Sequence, residues 1–397
     1  MPFYVQMGNV PHKRHTQMRK PDGSLYSEEV IGAAGFSGIQ SIAYHLHPPT
    51  VIERLEDPIP YSVDYVKLDY LRHRHVKGFE VAPGGDWLTG RTYIMGNDDV
   101  RLALCVPTDP MSYFFRNAVA DEMVFVHEGE GVLQSPFGNV EFSAGDYVHV
   151  PRTITHRWEF TGDRQPRLLI IESFSEIHPP KRYRNEFGQL LENSPYCERD
   201  FRPPSELITH DEEGEFEVRI AKHNYLHRLF FRYHPFDFVG WDGYMYPYAT
   251  SINDFEPITG RVHLPPPTHQ HFEGRNFVIC SFVPRLYDYH PDAIPTPYNH
   301  SNIDSDEVLY YVKGDFMSRK GISSGSFTLH PGGIAHGPHP GMVEASIGKK
   351  GTDEMAVMID TFRPLRLTKA SLEIEDEDYM LSWRPEMHSE NLPSNGR

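Results

Sequence analysis

A two-part element occurs twice in this chain of 397 residues, and the repeat constrains the fold more than any other feature. Residues 122–129 read Glu-x6-Gly, and residues 145–156 read Gly-x5-Pro-x4-His. Residues 307–314 and 325–336 repeat both patterns in the same order. One Glu-x6-Gly would occur by chance, but two ordered elements in two copies are specific. The repeat therefore predicts a duplicated β-barrel, with one copy in each half of the chain.

Short apolar runs separated by turn residues surround the repeats. They extend from about residue 90 to 180 and again from about 217 to 367, at the strand spacing of an all-β barrel or sandwich. We predict a mainly β protein in three segments. Residues 1–185 form an N-terminal segment and the first barrel, 186–258 a connector with shared β structure, and 259–397 the second barrel and a tail.

Charge and cysteine content exclude several classes of protein. The net charge of −17 argues against a nucleic-acid or anionic membrane surface, because such binders need dense Lys and Arg. No apolar run approaches the length of a membrane span, and the start lacks the apolar segment of a secretory signal. Three widely spaced cysteines form neither a disulfide framework nor a thiolate zinc site, so a cytoplasmic location is expected. The acidic run 373–378 is expected to be solvated and partly mobile.

The second copy of the repeat carries a candidate metal site. His300 precedes Glu307, and the second element supplies His336. Two imidazoles and one carboxylate on the inner wall of a barrel would leave coordination positions open, as in non-haem Fe(II) oxygen chemistry. Strand alternation places Glu307 on the same face as Leu309 and Tyr311. A carboxylate facing a barrel interior needs a partner or a metal ion, which supports Glu307 as a ligand.

Two nearby acidic residues compete with Glu307. Asp304 and Asp306 could each be the ligand if the loop were one residue longer, although turn roles suit both better. The first copy keeps Glu122 and His156, but the stretch RNAVADE, which leads into Glu122, offers no histidine. We therefore predict that the N-terminal barrel is metal-free and structural, and that the C-terminal barrel binds the metal.

The repeated elements resemble the two motifs of the cupin superfamily, a jelly-roll-like β-barrel, so the resemblance implies a bicupin. In many cupins a further histidine stands at the position of Asn302, and its replacement leaves a more open site.

A closer resemblance covers most of the chain. The stretches PYNHSNIDSDE, VKGDF and LHPGGIAHGP resemble the metal-site region of homogentisate 1,2-dioxygenases, as do HKRHTQMRK near the start and MIDTFRPLRLT near the end. The resemblance implies Fe(II) bound by His300, Glu307 and His336, with His330 in a supporting position behind the ligands. The sequence leaves Mn(II) open as the native metal.

The family resemblance also implies a reaction and an assembly. Both atoms of O2 would be inserted into homogentisate to give maleylacetoacetate, a step in tyrosine and phenylalanine breakdown. A small aromatic substrate and O2 would be the partners, and the family's trimers and hexamers imply a homo-oligomer. A neutral histidine that deprotonates the substrate is expected upstream of the metal strands. His263 is the candidate for this base, while His269 and His271 remain open.

One residue departs from the family pattern. Phe316 stands where many family members have a tyrosine thought to bond a substrate hydroxyl. The resemblance therefore implies ring cleavage and leaves the exact aromatic substrate open. Tyr298 and Asn302 are candidate substrate contacts, and Asn302 or Arg285 could meet a substrate carboxylate.

Other functions stay open. Gentisate or a substituted hydroquinone could be the substrate. A non-catalytic bicupin that binds a small molecule is a further alternative, and a metal-dependent sugar isomerase is another.

Overall fold

The computed structural model describes residues 3–68, 70–314, 316 and 321–384. The described chain is mainly β, as predicted. Its strands up to residue 202 are, in chain order, β1 (Val5–Gly8), β2 (Ser27–Gly32), β3 (Gln40–His45), β4 (Ile52–Pro60), β5 (Arg74–Val76), β6 (Arg91–Gly96), β7 (Val100–Cys105), β8 (Phe114–Asn117), β9 (Asp121–Glu128), β10 (Glu130–Ser135), β11 (Gly138–Ser143), β12 (Asp146–Val150), β13 (Arg157–Thr161), β14 (Arg167–Ser173) and β15 (Phe201–Arg202).

The later strands are β16 (Glu213–Lys222), β17 (Tyr225–Tyr233), β18 (Phe238–Gly243), β19 (Tyr248–Ser251), β20 (Gln270–Gly274), β21 (Phe277–Phe282), β22 (Arg285–Leu286), β23 (Asp306–Lys313), β24 (Phe327–His330), β25 (Gly351–Thr352), β26 (Met355–Thr361), β27 (Arg366–Leu367) and β28 (Glu375–Asp376). The α-helices are α1 (Met342–Ser346) and α2 (Lys369–Glu373). Single 3-10 turns span Ala34–Phe36, Gly78–Glu80, Lys181–Tyr183, Glu198–Asp200, Ile252–Asp254, Pro266–His269 and Tyr379–Trp383. Within the described residues, no helix has the length and apolar character that crossing a membrane requires.

The chain divides into two compact units that are not continuous in sequence. The first unit comprises Met1–Val63, Pro83–Arg91 and Leu102–Asp254. The second comprises Asp64–Ala82, Thr92–Arg101 and Phe255–Arg397. Two short segments from the first quarter of the chain therefore belong to the C-terminal unit.

The first unit is built around one central run of strands. Its order is β15-β19-β12-β9-β14-β7, and further sheets have the orders β1-β18-β3-β2, β4-β17-β16-β8 and β11-β10-β13. Strand β9 lies between β12 and β14, which explains why its residues from Asp121 to Val126 are all buried. A strand covered on both faces needs an almost continuous apolar run, and MVFVH supplies it.

The second unit contains a sheet of seven strands in the order β20-β21-β26-β23-β24-β5-β28. Strands β23 and β26 are central and nearly completely buried. The second unit also contains two short antiparallel strand pairs outside this sheet, β22 with β25 and β6 with β27.

The two units repeat one local arrangement. Strands β12, β9 and β14 are consecutive in the first unit, and β24, β23 and β26 are consecutive in the second. The glycine that ends each Glu-x6-Gly element turns the chain out of the central strand with a positive φ, 98° at Gly129 and 108° at Gly314. A Cβ on Gly314 would lie 2.8 Å from the Cα of Glu354, so a side chain has neither the backbone conformation nor the space. The duplicated fold follows from these shared elements.

The acidic run near the C-terminus is more ordered than the sequence predicted. Glu375 on β28 is buried, and its carboxylate accepts from Arg74 on β5 at 2.8 Å and lies 3.1 Å from Arg72. Tyr379 is also buried. The prediction of a solvated run therefore fails at Glu375, whose side chain is buried against two arginines, whereas Glu373, Glu377 and Asp378 are exposed as predicted.

Candidate metal centre and active site

Three predicted ligands come together in the second unit. His300 and His336 form an antiparallel bridge, and Glu307 lies on β23. One ligand atom from each residue lies within 4.8 Å of the other two. Nε2 of His300 is 3.4 Å from Oε2 of Glu307, and Nε2 of His336 is 3.3 Å from Oε1. Among the described residues, this is the one group of three or more His, Cys, Asp or Glu with such a separation.

The electrostatics of Glu307 suit a metal ligand. Burial opposes ionisation, yet hydrogen bonds from His300, His330 and His336 hold the pKa of Glu307 well below its usual range. The hydrogen bond to Glu307 in turn raises the pKa of His300. Two imidazole nitrogens converging on an ionised, buried carboxylate fit a divalent transition-metal ion, which would replace the protons that now join them.

Strand alternation orients the site as expected. Glu307, Leu309 and Tyr311 all line one cavity of about 270 Å³. The intervening Val308 and Tyr310 are buried on the opposite face. The pattern E-V-L-Y-Y-V therefore points one carboxylate into the cavity and keeps the alternate side chains in the core.

His330 supports the ligands from behind. Its Nδ1 is 2.9 Å from Oε1 of Glu307, and its ring stacks on His336 at 4.5 Å between centroids. Nε2 is 3.3 Å from the Tyr379 hydroxyl. His73 contributes a ring 5.9 Å from that of His336 and lies 3.2 Å from the Ala335 carbonyl. These buried side chains restrict the rotamers of Glu307 and His336.

The two competing aspartates lie elsewhere. Asp304 is exposed. Asp306 is buried and accepts backbone N–H groups of Gly332 at 2.9 Å and Leu365 at 2.8 Å, so it ties loops to β23.

Asn302 and Tyr298 both line the cavity. The Asn302 carbonyl accepts from Gly333, while its buried Nδ2 has no hydrogen-bond partner among the described residues. Tyr298 is half-exposed, with its ring 6.2 Å from His300 and 5.1 Å from His263.

The three candidate bases occupy different environments. His263 lines the cavity, remains partly exposed, and has Nδ1 3.4 Å from Oδ2 of Asp288. His269 also lines the cavity, but burial together with the charge of Arg285 lowers its pKa to about 3. His271 lies outside the cavity lining, bonded to Ser281 at 2.9 Å, and burial lowers its pKa to about 3. His263 is therefore the best placed of the three to accept a proton.

Phe316 lines the cavity and is buried. Its ring meets that of Tyr311 edge to face at 4.5 Å. The Tyr311 hydroxyl is 3.0 Å from Oγ1 of Thr328.

Sequence reasoning missed Asp360 and Asp288. Asp360 lines the cavity and is the β26 partner of Glu307. Burial, followed by the charge of Glu307, raises its pKa to about 8. Nothing local marks either residue in the sequence. Strand β26, however, carries Asp360 next to its last residue and pairs with β23, so the pairing of these two strands would have suggested Asp360.

The first unit has a cluster of buried charged residues at the position that corresponds to the candidate metal site, and its cation is an arginine side chain. Glu122 lies opposite Glu172 on β14, as Glu307 lies opposite Asp360 on β26. The guanidinium of Arg91 bridges the two glutamates, at 2.7 Å from Glu122 and 3.0 Å from Glu172, and all three side chains are buried. His156 is 3.7 Å from Glu122, and burial lowers the pKa of its imidazole.

Comparison with known proteins finds a different family model in each half of the chain. The homogentisate 1,2-dioxygenase C-terminal family matches residues 251–390, and the cupin domain family matches 106–172. A provisionally named dioxygenase of Saccharolobus solfataricus is 43% identical over 386 residues, covering 96% of this chain and 99% of that protein. The homogentisate 1,2-dioxygenase of Emericella nidulans is 23% identical over 419 residues, covering 95% and 91%. A solved cupin barrel protein from Leptotrichia buccalis has a TM-score of 0.31 and 9% identity, covering 78% and 99%.

Proposed function

This chain belongs to the homogentisate 1,2-dioxygenase family, it is a bicupin and an oxygenase enzyme, and we propose that it is an Fe(II)-dependent dioxygenase that cleaves the ring of homogentisate. The reaction adds both atoms of O2 to homogentisate and gives maleylacetoacetate, so no further reductant is required. Such a reaction would belong to tyrosine and phenylalanine breakdown.

One observation carries the proposal. His300 and Glu307 line a cavity of about 270 Å³, and His336 completes the ligand group beside them. The same cavity is lined by apolar side chains, Leu264, Phe282, Leu309, Phe316, Ala356 and Met358. A metal centre facing apolar walls suits a planar aromatic substrate and limits the access of water.

Fe(II) held by these three residues would supply open coordination positions for a deprotonated ring hydroxyl and for O2, together with the electron transfer between them. The protein's own contribution is positioning. His330 holds Glu307, and Gly332 and Leu365 anchor β23 through Asp306.

His263 is the proposed acceptor of the substrate's hydroxyl proton. It lines the cavity together with His300 and Tyr298. Asp288 lies at Nδ1 of His263, which leaves Nε2 as the nitrogen available to the substrate. His269 is a weaker base because its low pKa gives little driving force for taking up a proton.

Phe316 supports a second candidate substrate. The cavity wall at this position offers a phenyl ring without a hydroxyl, so one polar contact to a substrate hydroxyl is absent. Gentisate or a substituted hydroquinone is therefore the alternative, with the same metal site and the same base.

The test is O2 uptake by the iron-loaded enzyme with homogentisate, gentisate and hydroquinone. The proposal expects the highest kcat/KM with homogentisate, one O2 consumed per substrate, and two ¹⁸O atoms in the product from ¹⁸O2. Loading with Mn(II) in parallel identifies the active metal. No O2 uptake with any of the three by either metal form would refute the proposal. Light scattering tests the proposed trimer or hexamer.

A further inference from the structure

The cavity beside the candidate metal centre has one Arg or Lys among the described residues that line it, Arg285. Arg285 begins β22, and its backbone pairs with Thr352 on β25. The residue is thus fixed at the base of its side chain, and the guanidinium is held at the cavity wall.

The contacts of Arg285 leave its charge without a close partner. Its guanidinium carbon lies 5.8 Å from the ring centre of Phe282 and 5.9 Å from that of Tyr287. Nη1 donates one long hydrogen bond, 3.3 Å, to the Val283 carbonyl. Among the described residues, no carboxylate lies within 4.0 Å of the guanidinium, although Glu354 and Asp288 are near enough to favour its charged form.

The desolvation cost of the Arg285 guanidinium is not offset by a close anionic partner among the described residues. Burial lowers the pKa of Arg285, which shows that the guanidinium is partly removed from water. An arginine keeps its charge in proteins, so the cost of that desolvation persists until an anion binds. Other arginines of the same unit have found such partners, since Arg74 meets Glu375 at 2.8 Å.

Most of the other ionisable side chains that line the cavity do not attract an anion. Asp288, Glu307, Glu354 and Asp360 are acidic. His269 is neutral near pH 7 because its pKa is about 3. A carboxylate entering this cavity has Arg285 as its favourable charge partner away from the metal.

We propose that Arg285 binds the carboxylate of the substrate, which makes the enzyme selective for aromatic acids over neutral hydroquinones. The guanidinium presents parallel N–H groups that match the two oxygens of a carboxylate, and the rings of Phe282 and Tyr287 limit its orientation. The inference rests on the proposed function, because it assigns a role within the same cavity.

The test compares homogentisate with 2-methylhydroquinone, which keeps the dihydroxylated ring and lacks the carboxylate. Binding of each to the iron-loaded enzyme is measured anaerobically by calorimetry, and kcat/KM is measured in air. In the wild type we expect homogentisate to be preferred by about 10- to 100-fold, the range of a charge-assisted bidentate contact. Arg285→Gln should reduce that preference to about 1 by weakening homogentisate alone, and Arg285→Lys should restore part of it.

Arg275→Gln is the matched control, because Arg275 is exposed, lies 3.5 Å from Asp99 and is outside the cavity lining. It should leave the preference unchanged. Equal losses for both compounds in Arg285→Gln, with unchanged iron content and melting temperature, would overturn the assignment. The binding data stand even if neither compound is oxidised, so failure of the proposed reaction is distinguishable from failure of this inference.

Discussion

Glu307 and Asp360 occupy facing positions on the neighbouring strands β23 and β26. Three histidines hold the pKa of Glu307 well below its usual range, whereas burial and then the charge of Glu307 raise the pKa of Asp360 to about 8. The metal-free pair therefore carries a single negative charge near neutral pH.

Asp360 should make the metal-free protein less stable as the pH rises. Its folded pKa of about 8 lies above the ordinary value of 3.8, so the folded state binds the extra proton between those values. The stabilising contribution is complete below pH 3.8 and is lost as the pH rises through 8. Urea unfolding at pH 5 and pH 8 should show a larger loss for the wild type than for Asp360→Asn.

Added divalent metal serves as the control for that experiment. A nearby cation favours the ionised carboxylate, so the difference between wild type and Asp360→Asn should shrink in the metal-loaded protein. Identical pH dependence of the two metal-free proteins would contradict the raised pKa.

Asp288 should act as a positioning residue for His263. Asp288→Asn removes the carboxylate at Nδ1 of His263, so the tautomer of the ring is no longer fixed. We expect kcat to fall by about 10-fold, in the range found when the partner of a functional histidine is removed. KM and iron content should stay constant. Asp292→Asn is the control, since Asp292 is exposed beside His290. An unchanged kcat would exclude the role.

His336→Ala should lose the metal while the chain stays folded. His336 supplies one of three ligand atoms, and its ring is replaced by a small apolar side chain in a site that His330 and Glu307 still fill. We expect iron per chain, measured by plasma emission, to fall below a tenth, with native circular dichroism. Stoichiometric iron in this variant would refute the ligand set.

Glu122→Gln should leave iron content unchanged and lower stability. Glu122 neutralises Arg91 in the first unit, and a buried guanidinium that loses a charged partner destabilises the fold by about 3 kcal/mol. Denaturant unfolding measures that loss. A fall of iron to half of the wild-type value would mean that both barrels bind metal, against the prediction of a metal-free first barrel.

Phe316→Tyr tests the departure from the family pattern. A hydroxyl added at this buried cavity wall could meet a substrate hydroxyl, and one neutral hydrogen bond contributes about 1 kcal/mol. We expect kcat/KM for homogentisate to rise by about 5-fold over the wild type, and hydroquinone, which carries the same two ring hydroxyls, should gain similarly. A lower value for homogentisate alone would show that Phe316 is matched to a different ring.

The repeat allowed the duplicated β fold to be predicted, and the structure confirms it. Its glycines need positive φ in both copies, and its Glu lies on the central strand of each. The same logic placed Glu307, Leu309 and Tyr311 on one face, where the structure has them. Local periodicity was sufficient because these features lie within single strands.

The supporting residues could not be predicted in this way. His73 reaches the site from a segment that precedes the first barrel, and Tyr379 reaches it from beyond an acidic run. Such contacts depend on the pairing of β5 with β24 and β28, which joins residues about 250 to 300 apart in sequence. No local pattern of residue types encodes that pairing.

Arg91 has a consequence for how the protein matures. It is a counter-ion carried by the chain itself, so the buried glutamates of the first unit are neutralised as soon as that unit folds. In the second unit, Glu307 is held instead by histidines, at the place where the proposed metal ion would bind. Under the proposed function, the supply of metal ions would therefore govern the second unit, whereas the charge balance of the first unit is complete without one.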